Sequence, residues 1–304
     1  MTKKQKIIAI VGPSSSGKTS LAIEVAKKIN GEIISVDSRQ IYRGLDIGSA
    51  KPTIEERQGI EHYLLDILDV TEEYTVADFS DDAKNKINEI LQKGKTPILA
   101  GGTGLYFRVL LQDFDLPRVA PNKELREELE KQSSQELYNK LLELDYDIAQ
   151  KIHFNNKVKI IRALEVCITL NMPMSKAQKK KEAEYNTLWF GLNSQNRDFL
   201  YDRVNKRTDI MFEQGLLNEA KNLFEKYPDN NILLNTIGYQ ELYPFFKGEI
   251  TLEEAKEQLK QNTRRYVKRQ ISWFNANKDI NWFDIETTSQ QEMIEKVIFE
   301  YNNL

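Results

Sequence analysis

The sequence of 304 residues predicts an α/β fold, in which a parallel β-sheet flanked by helices carries an all-helical insertion. Two observations lead to this prediction. Short apolar runs alternate with amphipathic helical segments in the N-terminal part, and a glycine-rich loop at Gly12–Thr19 (GPSSSGKT) separates the first such pair. From about Asp115 onward, the alternation gives way to helical periodicity alone.

The loop has the flanking elements that its phosphate-binding signature, GxxxxGKT, requires. Ile7–Val11 is typical of a strand buried on both faces, and Ser20–Asn30 has the apolar spacing of a helix. Gly12 and Gly17 permit backbone angles that a Cβ would forbid, so successive N–H groups can surround phosphate oxygens. A P-loop NTPase-like sheet is therefore predicted. The expected phosphate ligands are Gly12, Pro13, Ser14, Ser15, Ser16, Gly17, Lys18 and Thr19, with magnesium on the Thr19 hydroxyl.

Three stretches that follow predicted strands are expected to meet. Glu32–Val36 predicts a second strand, which ends at Asp37, and Pro97–Ala100 predicts a further strand before Gly101–Gly104 (GGTG). Ligands of a parallel sheet bind beyond the carboxyl ends of its strands, so the phosphate loop, Asp37 and the GGTG turn should form one site. Further predicted elements are a strand at Glu61–Val70 and a helix at Val76–Lys93.

Residues 115–187 are predicted to form the helical insertion, between core segments 1–114 and 188–304. Ser133–Glu136 (SSQE) matches a capping box at a helix start. Leu188–Leu192 predicts a strand that returns to the sheet. A helix is expected over Asn155–Asn171, with one face formed by Val158, Ile161, Leu164 and Ile168. The alternative, a second independent domain after a linker, stays open.

Composition excludes several classes of protein. A net charge of −3 argues against a uniformly basic surface for nucleic acid, although local basic patches remain compatible with it. The single cysteine, Cys167, and two histidines exclude a disulfide framework and a Cys/His zinc module. Cys167 is expected in the core. No secretion signal follows Met1 and no apolar run reaches membrane-spanning length, so a cytoplasmic protein without membrane association is expected.

Two later segments carry clustered basic residues. In the predicted helix Leu200–Gly215, Arg203 and Arg207 lie four residues apart and could face one anionic ligand, or they could pair at the surface with Asp202 or Asp209. The segment 260–278 has six basic residues and no acidic one, with aromatic residues between them. This stripe suits an RNA phosphate backbone, and the alternative is a solvated helix with core aromatics. Its adjacent basic positions are Arg264, Arg265, Lys268 and Arg269.

With these motifs in order, the chain resembles the bacterial tRNA dimethylallyltransferase family, also called tRNA isopentenyltransferases. The most specific match is Val36–Pro52 (VDSRQIYRGLDIGSAKP). One departure is His153–Asn156 (HFNN), where the family often has an HPND-like stretch. The other matching segments are Gly12–Thr19, His62–Asp69, Tyr74–Phe79, Gly101–Phe107, Arg162–Val166, Arg203–Gly215, Ile237–Gln240 and Thr263–Trp273 (TRRYVKRQISW).

The resemblance implies transfer of a dimethylallyl group from its diphosphate to N6 of the adenosine 3′ to a tRNA anticodon. It implies the tRNA anticodon stem-loop as partner. Mg²⁺ is the cofactor expected from Thr19 of the phosphate loop, and a monomer is expected. Asp37 would be the general base, while Lys18, Thr103 and Arg207 would assist the departing diphosphate, which Arg203 would also bind. The diphosphate would replace the β/γ-phosphates of a nucleotide, so ATP need not be a substrate. Expected tRNA contacts are Asp37, Ser38, Arg39, Gln40, Thr103, Lys159, Arg162, Arg264, Arg265, Lys268 and Arg269.

Two other functions account for part of the sequence. A small-molecule or nucleotide kinase shares the phosphate loop, a strand-end Asp and a glycine turn, but it explains neither the block after Asp37 nor the basic stripe. A nucleotide-switched RNA-binding protein without catalysis has no need of a carboxylate at Asp37. Consumption of ATP with a small acceptor, against consumption of dimethylallyl diphosphate with tRNA, distinguishes the kinase from the transferase.

Overall fold

The computed structural model describes residues 4–112, 114–115, 117–180 and 182–304. The chain divides into two compact units: a core unit of residues 1–111 and 184–304, and an insertion unit of residues 112–183. The sequence interpretation had placed the insertion at 115–187. No helix among the described residues is long and apolar enough to cross a membrane.

Eight strands lie in the described residues, and six of them form the sheet of the core unit in the order β3-β2-β4-β1-β7-β8. All neighbouring pairs in this sheet are parallel, as predicted. The strands are β1 (Lys6–Val11), β2 (Gly31–Val36), β3 (His62–Tyr63), β4 (Thr96–Gly101), β5 (Phe114–Asp115), β6 (Lys179–Lys180), β7 (Asn186–Asn193) and β8 (Ile280–Asp284).

Helices flank the sheet and build the insertion. In the described residues they are α1 (Lys18–Ile29), α2 (Ile54–Arg57), α3 (Val76–Gln92), α4 (Gly104–Leu111), α5 (Lys123–Glu130), α6 (Ser134–Leu144), α7 (Tyr146–Ala149), α8 (Lys157–Leu170), α9 (Met174–Ala177), α10 (Arg197–Glu213), α11 (Leu216–Lys226), α12 (Asn231–Leu234), α13 (Tyr243–Phe246), α14 (Leu252–Phe274) and α15 (Gln290–Asn303).

Strand β1 is central and buried on both faces. Ile7 and Val11 pack in one cluster with Phe79 of α3, whereas Ile8 and Ile10 pack in the other cluster with residues of α1. Successive side chains of a strand point to opposite faces, so a continuous apolar run is what a doubly covered strand requires. This packing fixes the phosphate loop, which follows β1 directly.

The predicted strand at Glu61–Val70 was too long. Only His62 and Tyr63 pair with β2. Leu64 and Asp66 adopt left-handed backbone angles, with φ of 61° and 55°, which end the ladder. Strand β8, which the sequence interpretation missed, extends the other edge of the sheet beside β7.

The block after Asp37 is held by buried and half-buried polar contacts. Glu219 of α11 accepts backbone N–H groups from Ile47 at 2.8 Å and Gly48 at 3.0 Å, and also the Tyr239 hydroxyl at 2.7 Å. Lys51 is 8% exposed and donates to the Asp46 carboxylate and to the Tyr42 carbonyl. Part of this sequence block therefore shapes a loop, while residues 38–40 and 48–50 line the cavity described below.

The insertion unit has its own small core and one two-residue antiparallel pair, β5 with β6. The capping box at Ser133 is present, and Cys167 is buried, as expected. The predicted apolar face of α8 was only partly correct, because Val158 and Ile168 are 76% and 47% exposed. The buried stripe is rotated toward Ile160, Ile161, Ala163, Leu164 and Cys167.

Candidate active site

A cavity of about 360 Å³ lies at the carboxyl ends of β1, β2 and β4, where the three predicted loops meet. Its walls include Ser14, Lys18, Asp37 and Gly102, together with residues of α10 and α14. The expected convergence of separate sequence stretches on one site is confirmed. This placement follows from parallel strands, whose carboxyl ends share one edge of the sheet.

The phosphate loop contributes Ser14, Ser15, Lys18 and Thr19 to the cavity wall. Lys18 donates from Nζ to the Pro13 carbonyl at 2.6 Å. Burial lowers the pKa of Lys18 to about 8; the Asp37 carboxylate opposes this shift and Arg207 adds to it. Ser15 Oγ and Ser16 Oγ are buried, and neither has a hydrogen-bond partner among the described residues. Such orphaned hydroxyls beside backbone N–H groups fit the oxygens of a bound phosphate.

Asp37 is fixed at the end of β2 by its own backbone. Its Oδ1 accepts N–H groups from Arg39 at 2.8 Å and from Gln40 at 3.3 Å. None of the described residues donates a hydrogen bond to its Oδ2. Thr103 does not line the cavity wall, but its hydroxyl accepts the Ser38 N–H at 3.1 Å. One carboxylate oxygen is thus used for positioning and the other is available to take a proton.

Of the two arginines of α10, Arg203 contacts the phosphate loop and Arg207 lines the cavity, and neither pairs with Asp202 or Asp209. Arg203 donates from Nε to the Ser15 carbonyl at 2.8 Å, and Arg207 lines the cavity. Enclosure by the surrounding protein lowers the pKa of Arg207, although part of its side chain remains solvent-accessible. Asp209, the alternative surface partner, pairs with Lys260 at 2.6 Å.

The basic residues of α14 divide between two faces. Arg269 lines the cavity, whereas Lys268 lines a second cavity of about 530 Å³ beside Tyr201 and Trp282. Arg264 donates to Asn205 at 2.8 Å and to Glu257 at 2.9 Å. Arg265 is exposed. The four cations therefore have different neighbours, and only Arg269 of the four lines the candidate site.

Sequence reasoning missed several residues of this cavity. Tyr266 and Gln270 of α14 line it, and burial together with the Asp37 charge raises the pKa of Tyr266 to about 12. An apolar part of the wall is formed by Val204, Met211, Ile237 and Leu259. All of these residues except Leu259 lie in segments that match the family, but no chemical role was assigned to any of them from the sequence. A spacing of four on one helix was the one signal that linked Tyr266 to Gln270.

The two expected tRNA contacts of the insertion lie on α8. Lys159 is exposed. Arg162 contacts the fully buried Glu165 carboxylate and donates to the Val119 carbonyl at 3.0 Å. Burial works against ionisation of Glu165, but Arg126, the Asn122 N–H and Arg162 outweigh it and lower the pKa of Glu165. Arg162 therefore has a structural task inside the insertion unit, while 37% of its side chain stays exposed and accessible to a ligand.

A family model described as IPP transferase matches residues 40–277. This chain belongs to the IPP transferase family. A tRNA dimethylallyltransferase of Bacillus subtilis is 43% identical over 304 residues, covering 98% of this chain and 96% of that protein. The resemblance drawn from the motifs is confirmed.

Two solved structures extend the comparison. A tRNA delta(2)-isopentenylpyrophosphate transferase from Staphylococcus epidermidis is 40% identical, with a TM-score of 0.74 over 99% of each chain. A eukaryotic dimethylallyltransferase acting on tRNA is 30% identical, with a TM-score of 0.85 over 98% of this chain and 80% of the other. The α/β fold of this family is therefore established for the chain.

Proposed function

We propose that this protein transfers a dimethylallyl group from dimethylallyl diphosphate to N6 of the adenosine 3′-adjacent to a tRNA anticodon, releasing diphosphate. The observation that carries the proposal is one cavity that holds both an anion site, with Lys18 and Arg207, and the carboxylate of Asp37. A leaving diphosphate needs the anion site, and an amine nucleophile needs the carboxylate to accept its proton. A kinase shares the anion site but does not account for the family membership.

In the proposed reaction, N6 attacks the allylic carbon while the bond from that carbon to the diphosphate oxygen breaks. Asp37 Oδ2 takes the proton that N6 loses, and such general base catalysis contributes about 10²–10⁴-fold to a rate. Lys18, Arg207 and the N–H groups of the loop stabilise the charge that develops on the diphosphate. The apolar wall around Val204 and Met211 suits the hydrocarbon group.

Mg²⁺ fits this site through Thr19. The Thr19 side chain is exposed at the start of α1 and lines the same cavity as Lys18. The described residues contain no cluster of three or more His, Cys, Asp or Glu side chains that could hold a metal. Mg²⁺ usually keeps several waters and binds substrate phosphates, and the Ser/Thr hydroxyl of a phosphate loop is one of its protein ligands. When bound, it would neutralise charge on the diphosphate.

The tRNA adenosine must leave its stack to enter the cavity, at a cost of a few kcal/mol. The three residues after the general base Asp37 also line the cavity, where they can hold the extruded nucleotide in place. They are Ser38, Arg39 and Gln40. Arg265 and Arg269 are the proposed phosphate contacts of α14, and Lys159 and Arg162 those of the insertion. The proposal also includes action as a monomer in the cytoplasm.

The test is mass spectrometry of tRNA nucleosides after incubation with dimethylallyl diphosphate and Mg²⁺. We expect a dimethylallyl group on one adenosine of the anticodon loop and stoichiometric release of diphosphate. A parallel incubation with ATP and small acceptors tests for a kinase. Turnover of ATP without modified tRNA would refute the proposal, and tRNA binding without either product would indicate a binding protein.

A further inference from the structure

Gln270 joins the two loops that flank the cavity. Its Oε1 accepts the Ser14 backbone N–H at 2.8 Å and lies 3.4 Å from the Ser14 hydroxyl. Its Nε2 donates to the Gly102 carbonyl at 3.0 Å. Only this orientation of the amide satisfies both partners, because a flipped amide would set a donor against the N–H and an acceptor against the carbonyl. Gln270 is 5% exposed, so neither bond competes with bulk water.

The GGTG turn is shaped to receive α14. A Cβ on Gly102 would lie 2.2 Å from Gln270 Nε2, and a Cβ on Gly104 would lie 2.0 Å from Trp273 Cδ1. A Cβ on Gly102 would displace the Gln270 amide from its hydrogen bond, and one on Gly104 would overlap the Trp273 ring, so both contacts require glycine. Two glycines of this motif therefore serve the docking of α14.

Gln270 lies where it can set the distance between the bound diphosphate and the general base, Asp37. The loop on one side of its amide holds Lys18 and the other phosphate ligands. The turn on the other side contains Thr103, whose hydroxyl accepts the N–H of Ser38, the residue that follows Asp37. A single amide thus spans the anion side and the proton-accepting side of the cavity.

We propose that Gln270 is a positioning residue, which fixes the phosphate loop relative to the Thr103–Asp37 side through its two amide hydrogen bonds. This inference rests on the transferase function proposed above. Gln270 forms no bond to Lys18 or Asp37 themselves, so it acts through the loops. Loss of either hydrogen bond should lower the rate of the transfer step more than it lowers the affinity for dimethylallyl diphosphate or tRNA.

The first test compares Gln270→Met with Gln261→Met. Methionine fills a similar volume but neither accepts nor donates strongly. Gln261 lies on the opposite side of the same helix and is exposed. Misplacement of reacting groups by about 1 Å can cost on the order of 10²-fold, so we expect kcat of Gln270→Met to fall by about 10- to 100-fold. KM for dimethylallyl diphosphate and tRNA affinity should change far less, because Leu259, Val267 and Phe274 keep α14 buried in place.

The second test uses Gln270→Glu, a variant in which protonation of the introduced carboxyl restores both hydrogen bonds. A neutral carboxylic acid has the same donor and acceptor pair as the amide, whereas a carboxylate lacks the donor. The introduced carboxyl would be buried, which raises its pKa. The measured quantity is kcat of Gln270→Glu divided by kcat of the wild type. We expect this ratio to rise by about tenfold as pH falls from about 8 to about 6, because the introduced carboxyl becomes protonated over that range.

Taking this ratio removes the pH dependence that both proteins share. The titratable and charged groups that line the cavity with Gln270 are Lys18, Asp37, Arg39, Arg207, Tyr266 and Arg269. Gln261→Glu is the control for an added charge on α14, and its ratio should stay flat.

The outcomes separate the two proposals. A wild-type protein that forms no dimethylallylated tRNA would overturn both. An active wild type with an equally active Gln270→Met variant would overturn only the positioning role. A Gln270→Met variant whose KM rises with unchanged kcat would make Gln270 a binding residue instead. A flat pH ratio for Gln270→Glu would show that the paired hydrogen bonds do not matter.

Discussion

The backbone N–H of Ser38 donates to the hydroxyl oxygen of Thr103 at 3.1 Å. This bond joins the end of β2 to the turn after β4, across 65 positions of sequence. Together with the bonds that Asp37 Oδ1 accepts from Arg39 and Gln40, it holds the proposed base in a rigid turn. A catalytic carboxylate on such a support needs little reorganisation during the reaction.

Asp37→Asn should remove the proton-accepting role of Asp37 and keep the hydrogen bonds that hold its side chain in place. The amide oxygen can still accept the N–H groups of Arg39 and Gln40, but no proton can be taken by the side chain. We expect kcat to fall by about 10²-fold or more, with tRNA and diphosphate affinities largely kept. Single-turnover rates measure the transfer step, and equilibrium binding of tRNA measures its affinity. A normal kcat with raised KM for tRNA would make Asp37 a recognition residue.

Lys18 gives a pH dependence of diphosphate binding. Its pKa is lowered to about 8, so the free protein holds a charged Lys18 below that pH and a neutral one above it. Binding a polyanion favours the charged form, hence affinity should be level below pH 8 and fall by about tenfold per unit above it. KM for dimethylallyl diphosphate, measured across this range, tests it. Lys18→Arg should remove the slope, because arginine stays charged.

Thr19→Ala should raise the Mg²⁺ concentration needed for half-maximal turnover. The hydroxyl is the proposed protein ligand, and its loss leaves the metal to diphosphate and water. Ser20→Ala is the matched control, since the neighbouring hydroxyl accepts from Gln290 Nε2 at 2.7 Å. A Mg²⁺ titration that is identical for Thr19→Ala and wild type would remove Thr19 from the metal site.

Arg265→Gln with Arg269→Gln should flatten the salt dependence of tRNA binding. Each lost phosphate contact lowers the log–log slope by about 0.7 to 0.9, because fewer counterions are released on binding. The kcat at saturating tRNA should change little in Arg265→Gln alone, because Arg265 lies outside the cavity that Arg269 lines. Arg264→Gln is expected to have a smaller effect, since Arg264 is 24% exposed and already paired with Glu257. An unchanged slope with a lowered melting temperature would assign the two arginines to structure.

The local sequence was sufficient to predict the elements that depend on short-range physics. The run Ile7–Val11 forms a buried strand because consecutive apolar residues fill both faces of the sheet. The phosphate loop is defined by glycines and a helix start that follow one another in the chain. Asp37 was predicted in the site because residues directly after parallel strands share one edge.

Only the tertiary structure decided which residues of distant helices reach that edge. Gln270 lies 256 positions from Ser14, its hydrogen-bond partner, and a glutamine on a basic helix gives no sign of being buried. The division of Lys268 and Arg269 between two cavities likewise depends on how α14 is rotated against its neighbours. A pattern along one helix gives the spacing of its residues, whereas the identity of the surface opposite each one is set by long-range packing.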